Sequence, residues 1–359
     1  MKNNNQIIEA RAEQLAQRIE ALVVEARKKI ASTVNIAMVY TYFEVGRYIV
    51  EDEQGGKTRA EYGKGILKGV SARLTASLGK GWSVDTLEKT RRFFLTFSKS
   101  ATPQRILAEG ENSATVQRKF VLSWNHYQIL SHVDNPEARG FYEIEAFKQQ
   151  WSTRYLQRQI GSGLYERLAL SRDKDEVMRL AKEGQVVEKP ADIIKDPLVL
   201  EFCGLKPEAS YSETDLESAI ITRLQDFLLE MGKGFLFEAR QKRFTFEERH
   251  FFIDLVLYNR LLQAYVLVDL KMDDLTHQDL GQMQMYVNYY ARYVKEDYEQ
   301  PTIGILLCER KNDALVELTL PKDANIYAHQ YALCLPEKAL LQQKLREWIA
   351  EFKNKENEV

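Results

Sequence analysis

Two strand-like runs separated by a short polar break organise the hydrophobic pattern of the C-terminal half. Phe251 to Tyr258 and Ala264 to Lys271 are rich in Val, Leu, Ile and aromatic residues, with Asn259 to Gln263 between them. Such runs flanking a short break predict a hairpin. Side chains alternate across a strand, so Asp269 and Lys271 share a face and Leu270 takes the other. A loop of about four residues sets Asp254 directly opposite Asp269. Upstream, Leu216, Ile220, Leu224, Phe227 and Leu228 recur at helical spacing, Thr214 to Glu217 reads as a capping box, and Gly232 and Gly234 end the helix. Phe235 to Arg240 predicts a first strand. Downstream, a helix is predicted from about His277 to Tyr293. Thr302 to Cys308 is a continuous apolar run, hence a buried strand. Ala314 to Leu320 and Ile326 to Leu335 are further strand candidates, and Ala339 to Phe352 reads as a closing amphipathic helix. Helix, three strands, helix, strand is the order of an α/β sandwich around a mixed sheet flanked by helices.

The N-terminal half reads as mainly α-helical. Apolar positions recur at helical spacing from about Asn5 to Val50, and again at Ile66, Leu67, Val70, Leu74 and Leu78. Gly79 to Trp82 makes a turn, and Ser83 caps a helix reaching Phe97. Helix, glycine turn, basic helix over residues 62–97 is a helix-turn-helix-like layout. A polar loop over 98–115, helices opening at Trp124 and at Asn135-Pro136, and a helix from Tyr142 to Tyr155 follow. Trp124, Tyr142 and Trp151 read as core aromatics, and His126 and His132 lack an acidic partner at metal-site spacing. A change of character near Gly184 separates residues 1–184, a nucleic-acid-binding candidate, from residues 185–359.

Composition refines this picture. The 359 residues carry a formal net charge of −2 and are 45% hydrophobic, ordinary for a globular chain. The balance hides an asymmetry: Lys57 to Lys119 holds 13 Lys and Arg against 5 Asp and Glu. A local basic face matters more to phosphate than the total does. Lys89, Arg91 and Arg92 on the second helix of the pair, and Lys242 and Arg243 after the first strand, are the candidate nucleic-acid contacts. Cys203, Cys308 and Cys334 are isolated, with neither disulfide nor metal spacing. No membrane-length apolar run and no signal-like N-terminus are present, so a cytoplasmic chain is expected. No Walker-type glycine-rich motif is found.

Chemistry concentrates on the hairpin. Carboxylates about 5 Å apart across a strand pair repel unless something positive lies between them. Mg²⁺ takes one or two carboxylates with other hard oxygens. Asp254, Asp269 and the Leu270 backbone carbonyl make such a set, and Lys271 beside it can orient or deprotonate a water or hold a phosphate. The plain alternative is a surface hairpin whose Asp254 and Lys271 form a cross-strand ion pair.

Asp254 followed by Asp269-Leu270-Lys271 resembles the core of the PD-(D/E)XK nuclease superfamily. More narrowly, the chain resembles the YhcG family of predicted nucleases. Leu122 to Tyr127, Trp151 to Ile160, Asp196 to Phe202 and Gly281 to Tyr286 carry that likeness, which runs from roughly Ile30 to Leu335. The resemblance implies a PD-(D/E)XK nuclease-like domain, Mg²⁺ or Mn²⁺ as cofactor and DNA as partner. It adds Glu217, a helical acid before the first strand, to the metal cluster. It also places Gln282 and Tyr286, four apart on one helix face, in the active site. Asp269 stands where Glu is commoner, a shorter arm that shifts the ion slightly. A non-catalytic DNA-binding or assembly module on the same fold is the second reading, and a helical scaffold for a protein partner is the third. A homo-oligomer is compatible with either. Endo- against exonuclease action, and DNA against RNA, stay open at this level.

Overall fold

The computed structural model describes residues 35–53, 60–98, 119–170, 172, 174–193, 195, 197–205, 211–311, 313–321, 324–337 and 339–347. The expectations for residues 5–34, the loop at 99–115 and the chain beyond 347 lie outside these. The chain divides into two compact units, Met1–Leu156 and Gln157–Val359. The boundary expected near Gly184 lies in the second unit.

The first unit is helical. It holds α1 (35–53), α2 (Ala60–Leu78), α3 (Val84–Ser98), α4 (Trp124–Leu130), α5 (Pro136–Lys148) and the start of α6 (Thr153–Gly161). Gly79 and Gly81 take positive φ between α2 and α3, a conformation glycine adopts without steric cost. Ser83 Oγ accepts from the Thr86 amide at 3.2 Å, as the capping pattern predicts. α3 buries Leu87, Thr90, Phe93 and Phe97. A Cβ on Gly46 of α1 would lie 2.1 Å from the Thr90 carbonyl oxygen, so only glycine lets these two helices approach so closely.

Trp124 packs on Tyr42 and Phe93, and Tyr142 is fully buried. Both ring nitrogens of His126 are engaged, one by Ser123 Oγ at 2.7 Å and the other by the Trp151 carbonyl at 2.9 Å. The helix expected to run unbroken from Tyr142 to Tyr155 stops at Lys148, because Gln150 takes φ 53 before α6 begins.

The second unit opens with the rest of α6, then α7 (Leu164–Leu170), α8 (Lys174–Glu183) and the two-residue β1 (Leu198–Val199). α9 (Glu213–Thr222), α10 (Leu224–Met231), β2 (Phe235–Phe246), β3 (Arg249–Asn259) and β4 (Ala264–Asp274) follow. α11 (His277–Tyr293), β5 (Ile303–Arg310), α12 (Asp313–Thr319), β6 (Ile326–Ala332) and α13 (339–347) complete it. The mixed sheet has the order β1-β6-β5-β4-β3-β2. β2, β3 and β4 are antiparallel, while β4, β5, β6 and β1 are parallel.

Parallel neighbours need a crossover, usually helical; α11 carries the chain from β4 to β5 and α12 from β5 to β6. The strand expected over Ala314 to Leu320 is therefore helix, a correction that topology imposes on a short apolar run of ambiguous period. Both faces of the sheet are covered. Leu216, Ile220, Phe227 and Met231 from α9 and α10 pack against Leu255, Val266, Val268, Leu270 and Ile305. Leu280, Met283, Tyr286 and Tyr290 from α11 pack against Val256, Leu267, Leu306 and Cys308. Among the described residues, no helix is long and apolar enough to cross a membrane.

Candidate active site

The hairpin forms in the expected register. β3 ends at Asn259 opposite Ala264, leaving a four-residue loop, and pairing runs to Leu255 opposite Val268. There the sheet forks. β3 continues toward its N-terminus paired only with β2, while β4 continues paired with β5. One further step of the β3–β4 register would set Asp254 against Asp269, so the two carboxylates stand on the two sides of the fork. The Leu270 amide donates to Asp254 Oδ2 at 2.8 Å instead of to a strand partner on β3. A buried amide needs an acceptor, and this one ties the Asp254 carboxylate to β4.

Asp269 is 2% exposed and shares the strand face of Leu267 and Lys271. Burial, then the charge of Asp254, push its carboxyl well above the ordinary carboxylate range, against the pull of Lys271. Lys271 Nζ lies 2.9 Å from Asp269 Oδ2. The two form an ion pair at the fork. Lys271 Nζ also lies 3.9 Å from Glu213 Oε1 at the start of α9 and 4.0 Å from Asp279 Oδ1 at the start of α11. Burial lowers the affinity of Lys271 for its proton, but Asp269, Glu213 and Asp254 outweigh it and hold the ammonium above its ordinary pKa.

Glu217 reaches the fork by another route. The cap of α9 is Ser212 with Asp215, rather than Thr214 with Glu217. That correction frees Glu217, which is 4% exposed and accepts from Arg240 Nε at 2.5 Å and Gln241 Nε2 at 2.8 Å. Gln241 Nε2 also donates to Asp254 Oδ1 at 2.8 Å. Gln282 donates its amide to the Tyr286 hydroxyl, which donates to the Phe252 carbonyl at 2.9 Å. This pair thus clamps α11 to β3 two residues before Asp254. Burial raises the Tyr286 pKa, and the nearby Asp269 and Asp254 charges add to that, so the phenol keeps its proton.

The donors at the fork suit a hard divalent ion: a buried carboxylate, a second carboxylate beside it and the backbone carbonyl of Leu270. Among the described residues no three acidic, His or Cys side chains converge on one point. Glu217 stays one amide away from the pair.

The basic candidates are dispersed. Lys89 pairs with Asp85 at 2.7 Å, Arg91 with Glu53 at 2.7 Å, and the exposed Arg92 contacts His132. Lys242 lies 3.5 Å from Glu238, and Arg243 lies 3.4 Å from His250 Nε2. Sequence reasoning missed Arg240, Gln241, Glu213 and Asp279 at the fork. Asp279 had a signal, since Thr276 and Asp279 form the capping box of α11. Gln241 had none.

A forked mixed sheet, helices on both faces, and two carboxylates with a lysine at the fork define a nuclease domain of the PD-(D/E)XK class. The YhcG PDDEXK nuclease domain family matches residues 191–346 and the DUF1016 N-terminal domain family matches residues 18–167. The chain is 36% identical over 351 residues to a protein of Escherichia coli (strain K12) titled "Putative nuclease YhcG", covering 93% of each chain. It belongs to the YhcG family of PD-(D/E)XK nucleases. A solved repair endonuclease from Pyrococcus abyssi aligns with 36% of this chain and 50% of its own, at 20% identity and a TM-score of 0.24.

Proposed function

We propose that the chain is a divalent-metal-dependent nuclease that hydrolyses phosphodiester bonds of DNA, with Mg²⁺ or Mn²⁺ as the ion. The observation that carries this reading is the buried Asp269, held beside Asp254 and Lys271 at the fork. Asp254, Asp269 and the Leu270 carbonyl would hold the ion, with Glu217 in support. A bound divalent ion polarises a phosphoryl oxygen and makes its water acidic enough to attack at neutral pH. Lys271, whose ammonium Asp269, Glu213 and Asp254 favour, would hold a phosphate oxygen and stabilise developing negative charge. Gln282 and Tyr286 complete the pocket by fixing β3 beside it.

The N-terminal unit delivers the substrate in this proposal. Lys89, Arg91 and Arg92 meet phosphates there, and Lys242 and Arg243 meet the backbone near the fork. Phosphate contact at Lys89 and Arg91 means exchanging the Asp85 and Glu53 carboxylates for phosphate oxygens.

The test is cleavage of plasmid, linear duplex and single-stranded DNA with Mg²⁺, Mn²⁺ or EDTA, wild type beside Lys271→Ala. Cutting is expected with either ion and not with EDTA. Lys271→Ala is expected to lower kcat by roughly 10²–10³, the scale for removing one charge-stabilising donor. A wild-type chain that binds DNA and never cuts under any of these conditions overturns the reading in favour of a binding module. In the same preparations, Arg92→Glu is expected to weaken DNA binding across sequences and to reduce the salt slope by about 1. An unchanged slope removes Arg92 from the interface.

A further inference from the structure

Gln241, at the fork, has a backbone that departs from its strand. Its φ is 47, a left-handed conformation that side chains other than Gly, Asn and Asp seldom adopt. The β2–β3 ladder pairs Arg240 with Leu255 and Lys242 with Ile253, and skips the step at which Gln241 would face Asp254. Gln241 is exposed, so packing around its side chain does not impose this backbone. The amide nitrogen gives one proton to Asp254 Oδ1 and one to Glu217 Oε2, each at 2.8 Å. Both donors of that nitrogen are thereby used.

The four carboxylate oxygens concerned are all fixed. Asp254 is held by Gln241 on Oδ1 and by the Leu270 amide on Oδ2, and Glu217 by Arg240 on Oε1 and Gln241 on Oε2. A neutral amide therefore bridges two acids that would otherwise repel. A strained conformation that persists only because its surroundings over-determine it is a mark of functional sites.

We infer that Gln241 is a positioning residue of the metal site: its amide sets the separation of Glu217 from Asp254 and keeps Glu217 in the shell behind the ion's ligands. This rests on the metal-dependent reading above. Outer partners of this kind orient the ligating carboxylate and tune the ion's affinity. The competing role is purely structural, in which Gln241 only satisfies two acids and the ion does not sense it.

Mn²⁺ titration of the full-length chain by calorimetry separates the two roles, using wild type, Gln241→Asn and Gln241→Ala. Asn tolerates the left-handed backbone and keeps an amide, one methylene too short to span both acids. Ala removes the amide. Both variants are expected to keep the wild-type circular dichroism and to bind DNA in EDTA as wild type does. Mn²⁺ affinity is expected to fall by about 10–100-fold in both. Should Ala fail to fold, Asn alone carries the test. Wild-type Mn²⁺ affinity in a folded Gln241→Asn overturns the inference and leaves the nuclease reading standing. A wild-type chain that binds no Mn²⁺ overturns the metal reading and this inference with it.

Discussion

Asp269→Asn is expected to remove metal-dependent DNA cleavage and, at pH 8, to make the metal-free protein more stable than wild type. The two effects have one origin. Asp269 is buried beside Asp254, and its carboxyl holds a proton to higher pH than in the unfolded chain. The sign follows from linkage. A folded-state pKa raised above the unfolded one adds stability below the unfolded value, near pH 3.8, and that stability is lost as pH rises through the folded pKa.

At pH 8 the wild-type native state therefore carries two charged acids at close quarters. Asn keeps the shape and drops the charge. Lys271 retains Glu213, Asp279 and Asp254 around its ammonium, so it is not stranded by the change. The gain is about 0.5–2 kcal/mol, the usual yield of one stabilising substitution, and it shrinks toward zero near pH 4, where wild-type Asp269 is protonated.

Activity goes the other way. On the proposed metal-dependent reading the ion would lose a ligand, and cleavage is expected to fall by at least roughly 10²–10³. Thermal melts at pH 4 and pH 8, with and without Mg²⁺, check both halves. Mg²⁺ should raise the wild-type midpoint and leave that of Asp269→Asn unchanged. A variant that still cuts, or one less stable than wild type at pH 8, contradicts the assignment of Asp269.

The parts of this site visible in the sequence are those set by local rules. Alternation and a four-residue loop were enough to bring Asp254, Asp269 and Lys271 to one place, because strand period and hairpin geometry act over a few residues. The helical register that joins Gln282 to Tyr286 is local in the same sense. The fork is not, since it arises where β3 keeps β2 and β4 keeps β5, a competition among three partners distant in sequence.

Glu217 shows the same limit from another side. Thr214 and Glu217 satisfy the capping pattern as well as Ser212 and Asp215 do. Arg240, more than twenty residues away, draws Glu217 into the fork, and tertiary contact overrides the local signal. Nothing about a glutamine signals a left-handed backbone, so the place of Gln241 between Glu217 and Asp254 is not legible in the sequence. β1 is two residues long, too short to leave a period, and the segment over Asp313–Thr319 was decided by the crossover that joins β5 to β6.

Glu230→Gln is the substitution expected to cost most stability, about 3–5 kcal/mol at pH 7, although it changes no atom at the fork. Glu230 is fully buried on α10. Its Oε1 accepts from Arg167 Nη1 at 2.6 Å and from the Val199 amide at 3.1 Å, and its Oε2 from Arg158 Nη1 at 3.2 Å. Arg167 is itself fully buried and also donates to Ser162 and Pro197 carbonyls. Lys195 donates to the Glu230 backbone carbonyl.

This carboxylate thus ties α6, α7, α10 and β1 together. Burial alone would raise its pKa. Arg167, Lys195 and Arg158 outweigh that and bring it down to about 2. A depressed folded pKa adds stability that is present above the unfolded value, near 4.5, and is lost as pH falls toward 2. Gln keeps the shape and leaves Arg167 buried without its counter-charge, which is the costly half of breaking an internal ion pair.

Urea unfolding of both proteins between pH 7 and pH 3 reads the effect. The gap between them should be widest above pH 5 and should narrow below 4.5, as Glu230 of the unfolded wild-type chain takes up a proton that the native carboxylate refuses until about 2. A cost under about 1 kcal/mol, or a gap that stays constant from pH 5 to pH 3, would show that the Arg167–Glu230 pair does not hold this layer in place. Cleavage by the folded fraction of Glu230→Gln should retain the wild-type metal requirement, because the side chain of Glu230 bonds to Arg167, Arg158 and Val199 and not to Asp254, Asp269 or Lys271.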